Sequence, residues 1–287
     1  MYDSYLCTIN QAKTEGGVTD FANITQDSLW LDAIGKMSAW AIDLCVCSFE
    51  PVLDTVYYDV TDDGITLDGQ TLDLKARLLE VATITLADAT SVASDKYLLL
   101  PRGHSPYTSI YLTNASGYVW TQYTDDLKAQ IAIAGYWGQR SRYSQSAWSS
   151  VTVTAEALDA TETGVDVSSV ASLSAGQLIR VGSEYMRIAS ISTLTLTVVR
   201  GVNGTTAAIH NSGDTVYLYQ PDFVVSDAVA RGVGWLKKRY GSFEDVQWNA
   251  SSGISQLIKS TLPDDVIGRL GRYRSINAIP SRGFAAP

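Results

Sequence analysis

The stretch PDFVVSDAVARGVGWLKKRYGS, residues 221–242, has the apolar spacing of an amphipathic helix. Its apolar face carries Val225, Ala228, Val229, Gly232 and Leu236. Asp222 can cap the start, and the basic residues 237–239 complement the helix dipole at the end, before Gly241. The sequence therefore predicts a helix here that packs one face against the rest of the protein.

A second amphipathic helix is predicted near the other end of the chain, over residues 25–47. Its apolar residues recur at helical spacing: Trp30, Ala33, Ile34, Met37, Trp40, Ala41 and Leu44. Thr25 or Asp27 can cap this helix, and Pro51 prevents its continuation. Residues 1–23 lack a clear period, so we expect an extended arm there. A last short helix is predicted within residues 260–274, where a proline and two acids suit the first turn.

Most of the chain between the two long helices is rich in β-branched and aromatic residues. Strand-like runs extend from VLDTVYYDV at 52–60 to AQIAIAGYWG at 129–138, and a polar linker follows at 139–150. A second β-rich block, residues 151–219, has tight-turn signals at Gly182-Ser183 and Ser192-Thr193. This order predicts an α+β protein: a helical domain with a β-sheet portion, plus an inserted small all-β module that is barrel- or sandwich-like.

Composition and charge exclude several functional classes. The 287 residues carry a net charge of −9, but residues 231–287 hold nine Lys/Arg against four Asp/Glu, so the rest carries −14. An acidic body does not bind nucleic acid through its general field. No apolar run is long enough to span a bilayer, and the N-terminus has no signal-peptide pattern, so we expect synthesis in a cytoplasm. Three cysteines and two histidines show no disulfide framework and no zinc spacing, so no metal or cofactor is predicted.

The glycine-rich stretch VVRGVNGTTAAIHNSG, residues 198–213, raises the question of catalysis. It lacks the lysine and the spacing of a phosphate-binding loop, whereas its Asn203-Gly204 pair favours a tight turn. Neither His104 nor His210 lies in the sequence context of an activated serine nucleophile. The sequence therefore predicts no catalytic residue, although paired carboxylates of a glycosidase remain an open alternative.

Aromatic residues raise a second alternative. Seven tryptophans and sixteen tyrosines could form a surface on which sugars or bases stack. We favour the interpretation that most of these rings pack in the core, on the sheets or between subunits.

The order of elements resembles the head–tail adaptors, or connectors, of tailed bacteriophages. The resemblance is carried by DSLWLDAIGKMSAWAIDLCVCSFEP at 27–51, IAIAGYWGQRSRY at 131–143, the helix at 221–241 and LPDDVIGRLGRYR at 262–274. The block at 175–219 is similar to a small β module found in phage head, neck and tail proteins. Its position after GYWG departs from the shortest adaptors as an insertion.

This resemblance implies a structural virion protein rather than an enzyme. Such adaptors form a ring of about twelve subunits that extends the DNA channel between the portal and the tail. The expected partners are the portal protein, a tail-side neck or tail terminator protein and further copies of the chain. Genomic DNA passes through without specific binding, no membrane is involved, and the protein, made in the host cytoplasm, is located at the virion neck.

The resemblance also implies a division of the chain and candidate binding residues. The expected segments are an N-terminal adaptor segment over residues 1–150, the inserted module 151–219, a C-terminal helix and loop 220–261, and a portal-docking helix and tail 262–287. Candidate portal contacts are Arg269, Arg272, Tyr273, Arg274, Ile276 and Arg282. Candidate subunit contacts are Trp137, Trp235 and Tyr240. Two alternatives remain: a tail or baseplate structural protein that shares the β module, and a carbohydrate-binding or glycoside-hydrolysing protein.

Overall fold

The computed structural model describes residues 4–22, 24–61, 64–122, 128–141, 146–240, 246–249, 254–257 and 262–274. For Tyr240 and for the short strands at 246–249 and 254–257, only the backbone is described. The chain folds as two compact units. Residues 1–46 and 145–274 form the helical unit, and residues 47–144 belong to the sheet unit.

Four α-helices of the described residues all belong to the helical unit: α1 (Ile9–Glu15), α2 (Asp27–Cys45), α3 (Phe223–Tyr240) and α4 (Asp264–Gly271). The predicted helices at 25–47 and 221–242 are confirmed with these bounds. Asp222 caps α3 as predicted, because its Oδ1 accepts a hydrogen bond from the Val224 N–H at 3.0 Å. In contrast, α2 has no side-chain cap, and it ends where Val46 adopts the left-handed conformation, well before Pro51.

The prediction of an extended arm over residues 1–23 is wrong for α1. Thr8 and Gln11 form a capping box: Thr8 Oγ1 accepts from the Gln11 N–H at 3.2 Å, and Gln11 Oε1 accepts from the Thr8 N–H at 2.8 Å. Ile9 and Ala12 are buried on the inner face of this helix. Seven residues make only two turns, so the hydrophobic period is too short to be seen, and the capping pair was the available signal.

Helix α3 is the centre of the helical unit, because α1, α2 and α4 all pack against it. Its predicted inner residues Val225, Ala228 and Val229 are fully buried. A Cβ atom on Gly232 would lie 2.7 Å from the Met37 sulfur on α2, and one on Gly234 would lie 2.6 Å from the Glu15 carbonyl oxygen of α1. The two glycines therefore let α1 and α2 approach the α3 backbone.

The helical unit also contains a six-stranded antiparallel sheet. Its strands are β6 (Trp148–Val153), β7 (Gly164–Asp166), β8 (Leu178–Val181), β9 (Glu184–Ser192), β10 (Thr195–Val199) and β11 (Thr215–Tyr219), in the order β6-β11-β8-β9-β10-β7. Residues of one face, including Ile179, Met186, Leu196 and Val216, form a fully buried core. The sheet is open rather than a closed barrel, although its edges meet at a single bridge between Thr154 and Val167. The α+β class is thus confirmed, and the barrel-like form of the module is wrong.

The sheet unit is built on a five-stranded antiparallel sheet. Its strands are β1 (Val52–Tyr58), β2 (Thr71–Thr85), β3 (Tyr97–Leu100), β4 (Tyr107–Leu112) and β5 (Ile131–Trp137), in the order β1-β5-β2-β4-β3. The GYWG stretch ends β5, which lies between β1 and β2. A side chain at Gly135 would overlap the Glu80 carbonyl oxygen of β2, so glycine is required at this position.

Two further strands, β12 (Val246–Asn249) and β13 (Ile254–Leu257), pair with each other in the chain segment between α3 and α4. The sequence did not predict them. The predicted domain boundaries at 150, 219 and 261 stay predictions. Within this one chain, the strands β6–β11 belong to the same compact unit as the four helices.

Gly234 should tolerate no side chain. We expect Gly234→Ala to lower the free energy of unfolding of the helical unit by about 1–3 kcal/mol, because its methyl group would meet the rigid backbone of Glu15. Urea unfolding followed by far-UV circular dichroism measures this loss.

The matched control is Gly268→Ala in α4, where an added Cβ meets nothing within 4 Å. It should leave stability unchanged or raise it by up to about 1 kcal/mol, because alanine favours helix. Equal stability of the two variants would contradict the close helix contact.

Candidate functional site

The 198–213 stretch leaves β10 and leads into β11 through a loop with a tight turn. Asn203 and Gly204 have positive φ angles of 54° and 81°. The Thr205 N–H donates to the Val202 carbonyl across them at 3.2 Å. Positive φ at both central residues is the conformation that an Asn-Gly pair favours, so the predicted turn is confirmed.

A buried carboxylate organises the rest of this loop. Glu184, at the start of β9, has no exposed surface and accepts five hydrogen bonds. Its Oε1 accepts from Arg200 Nε at 2.6 Å and from the Gly201 N–H at 3.1 Å. Its Oε2 accepts from Arg200 Nη2 at 2.7 Å and the Ala208 N–H at 2.9 Å, and it lies 2.8 Å from His210 Nε2. Both oxygens are therefore fully engaged within the loop.

The guanidinium of Arg200 is also fully hydrogen-bonded. Besides the two bonds to Glu184, Nη1 donates to the carbonyl oxygens of Asp159 at 2.9 Å and Glu162 at 2.7 Å, and Nη2 donates to that of Ala208 at 2.6 Å. These bonds use all five N–H groups of the guanidinium. The Glu184–Arg200–His210 cluster thus joins β9, the 198–213 loop and the segment before β7.

The electrostatics of Glu184 agree with a structural role. Burial alone would raise the pKa of this carboxyl group, but the hydrogen bonds from Arg200, the Ala208 N–H and His210 outweigh burial and hold its pKa below the ordinary value. A low-pKa carboxylate with five donors is not poised to exchange a proton with a substrate. The loop that suggested chemistry is therefore a fixed connection.

Two of the predicted portal-docking residues form contacts within the chain. Arg269 of α4 pairs with Asp227 of α3, and the Tyr273 hydroxyl donates to Asp222 Oδ1 at 3.0 Å. Burial and the nearby Asp222 carboxylate raise the pKa of Tyr273, so this hydroxyl stays a donor. Arg269 and Tyr273 therefore serve contacts inside the chain.

Of the other four predicted docking residues, the structure describes two. Arg272 and Arg274 are exposed, and neither guanidinium forms a hydrogen bond or an ion pair with any residue that the structure describes. Ile276 and Arg282 lie outside the described residues. The described end of the chain thus presents two available guanidinium groups.

The three predicted subunit contacts differ in exposure. Trp137 ends β5 with 5% of its surface exposed, and its Nε1 donates to the Asp54 carbonyl oxygen at 3.0 Å, so it packs in the sheet unit. Trp235 is half-buried on α3, and the Tyr240 side chain lies outside what the structure describes. A subunit contact through these residues stays a prediction.

The other histidine, cysteine and acidic side chains that the structure describes do not form a metal site. Within the described ranges, no three histidine, cysteine, aspartate or glutamate side chains are grouped to hold a metal ion. His104 is exposed on a loop of the sheet unit, whereas burial raises the pKa of the Cys7 thiol to about 12. No helix among the described residues combines the length and the apolar character needed to cross a bilayer.

Comparison of the chain with protein-family models, with curated proteins and with solved structures found no match. The function must therefore be inferred from the residues of the chain itself.

Sequence reasoning singled out Arg200 and His210 but missed Glu184, which holds them. Glu184 is 16 residues from Arg200 and 26 from His210 along the chain. The one available signal was a carboxylate at the start of a strand, directly before Tyr185 and Met186. That pattern does not predict Arg200 and His210 as partners of Glu184, because only the β9–β10 hairpin and the 198–213 loop bring the three residues together.

Removing the charge of Glu184 should be costly. We expect Glu184→Gln to lower the unfolding free energy by about 3–5 kcal/mol, because Arg200 would stay buried without its counter-charge. Glu156→Gln, the same change at an exposed position, should alter stability by less than about 0.5 kcal/mol. Chemical unfolding of both variants measures the difference, and two equally mild effects would refute the structural role of the cluster.

The contribution of Glu184 should also depend on pH. Because the folded-state pKa lies below the ordinary value of 4.5, the stabilisation is complete above that pH and is lost as the pH falls through the folded value. The stability gap between the wild type and Glu184→Gln should therefore be constant near neutral pH and shrink in acid. A gap that does not change between neutral and acidic pH contradicts this assignment.

Proposed function

We propose that this protein is a structural component of a tailed-bacteriophage virion, a head–tail adaptor that binds the portal through its C-terminal segment. The observation that carries the proposal is the arrangement of α4. This helix is fixed to the body of its own chain, while Arg272 and Arg274 at its end are exposed and uncommitted among the described residues.

Several contacts fix α4 in place. Val266 and Leu270 are fully buried, and the Cys45 thiol of α2 donates to the Leu270 carbonyl at 3.3 Å. Arg231 of α3 pairs with Asp265 at 2.7 Å. With Arg269 and Tyr273 bound to α3 as well, the direction in which the chain leaves α4 is set by the fold.

The charge of the chain end differs from that of the body. Residues 266–287 contain four arginines and no acidic residue, so they carry +4, and the rest carries −9 − 4 = −13. A basic segment on an acidic protein suits docking to an acidic surface of another protein. The acidic body also suits a channel wall past which DNA moves without being held.

The remaining elements of the proposal follow the family resemblance. Helices from both ends of the chain, α1, α2, α3 and α4, pack into one unit, as expected for an adaptor body. In this role the protein forms a ring of about twelve copies between the portal and a tail-side neck or terminator protein. These helices also argue against a purely β tail spike. The full engagement of Glu184 removes the most buried carboxylate from the list of candidate glycosidase acids.

The direct test is truncation after Arg274. Deleting the whole of 262–287 would remove α4 and expose the apolar surface of α2 and α3, so its result would mix unfolding with loss of docking. The chain 1–274 keeps α4. We expect it to unfold like the wild type yet to co-assemble more weakly with its portal protein, as measured by native mass spectrometry.

A charge variant and its control sharpen this test. Arg272→Glu with Arg274→Glu should weaken portal binding, whereas Arg102→Glu, at an exposed position of the sheet unit, should leave it unchanged. Normal portal attachment of both the 1–274 chain and the double arginine variant would overturn the proposed role of the C-terminal segment.

A further inference from the structure

One arginine on the six-stranded sheet is held in place without a hydrogen bond. The Arg180 guanidinium of β8 stacks between two rings, with its carbon 5.0 Å from the Trp148 ring centroid and 4.9 Å from that of Tyr217. Both distances are within the range of cation–π attraction. The Arg180 guanidinium donates no hydrogen bond to any residue that the structure describes.

The strand register builds this stack. Arg180 lies directly opposite Tyr217 of β11, and Tyr219, two residues on, lies opposite Trp148 of β6. These residues are on the face opposite the buried core, because Ile179 and Val216, their chain neighbours, point into it.

The rings themselves are fixed by their neighbours. The Trp148 ring centroid is 5.1 Å from that of Tyr185 and 5.3 Å from that of Tyr219, and both tyrosines are buried. The guanidinium therefore lies in a preformed slot, and little side-chain freedom remains to be lost on binding.

The unpaired Nε makes this arrangement unusual. Nε is closed off from solvent and has no acceptor among the described residues. A buried N–H without a partner is destabilising, and native proteins rarely keep one. The two terminal nitrogens also lack a partner among the described residues, but unlike Nε they are not closed off from solvent. Arg180 as a whole is half-buried. The slot therefore holds a planar, positively charged guanidinium with two accessible amino groups. No carboxylate among the described residues lies within hydrogen-bonding distance of it.

We propose that Trp148, Arg180 and Tyr217 form a binding site for a carboxylate, supplied by an acidic side chain of a protein partner. The two terminal amino groups would donate to the two carboxylate oxygens in parallel. Tryptophan, tyrosine and arginine together have the composition of interface hot spots. A nucleic-acid backbone fits less well, because its recognition needs many basic residues and this chain carries −9.

The site also changes how the aromatic residues of this sheet are understood. A sugar or base would need an open ring face, and Arg180 occupies a face of both Trp148 and Tyr217. In this proposal the rings hold Arg180 in place, and the Arg180 guanidinium binds the carboxylate. This site does not depend on the adaptor proposal, because it lies on the sheet and not on the C-terminal segment.

Nuclear magnetic resonance of arginine Nε–Hε groups in the full chain tests the proposal with built-in controls. Acetate and a short glutamate-rich peptide should shift the Arg180 resonance saturably, at about tenfold lower concentration than the exposed and unstacked Arg274. Arg200, whose five N–H groups are all used, should not move. The matching glutamine peptide should have no effect.

Three results would overturn the assignment. Arg180 and Arg274 could respond alike, which would mean general ion binding. Inorganic phosphate could shift Arg180 while acetate does not, which would mean a phosphate site. Arg180→Lys keeps the charge but not the planar fork, so the response of the Trp148 indole N–H to acetate should be lost in this variant. A retained response would exclude recognition by the guanidinium.

Discussion

The close approach of α1 and α2 to the backbone of α3 is the contact on which the helical unit depends. It is possible because Gly232 and Gly234 leave room for the Met37 side chain and for the Glu15 backbone. The buried ammonium of Lys13, 2.6 Å from the Asp27 carboxylate, ties α1 to the start of α2. At the other end of α3, Asp222 caps the helix and accepts the Tyr273 hydroxyl, so the same residue starts α3 and anchors α4. The position of α4 therefore follows from the packing around α3.

Arg180 on the six-stranded sheet and Arg200 in the loop after β10 show how the surroundings of an arginine separate a structural role from a binding role. Arg200 donates to a buried carboxylate and to three carbonyl groups, so nothing remains for a ligand. Arg180 is held by the faces of two aromatic rings instead. Stacking can therefore fix a guanidinium and leave its terminal amino groups available to a ligand. Hydrogen bonding within the chain fixes a guanidinium but occupies its N–H donors.

The sequence predicted the elements with long, regular patterns and missed those that depend on distant contacts. Helices α2 and α3 are long enough for a hydrophobic period, and the Asn203-Gly204 turn has a local conformational cause. Helix α1 is too short for a period, and β12 and β13 have four residues each. The partners of Glu184 and the stack around Arg180 come from strand pairing, which the sequence does not specify by itself. The contacts of Arg269 and Tyr273 with α3 were likewise not predicted, because they depend on Val266 and Leu270 packing α4 against the same chain.

Amide hydrogen exchange of the helical unit tests the central role of α3 most directly. If α1 and α2 are held by their contacts with α3, amides of α1, α2 and the middle of α3 should exchange through one common opening, with the same dependence on denaturant. Rapid exchange of α1 at a rate independent of the α3 opening would contradict this account.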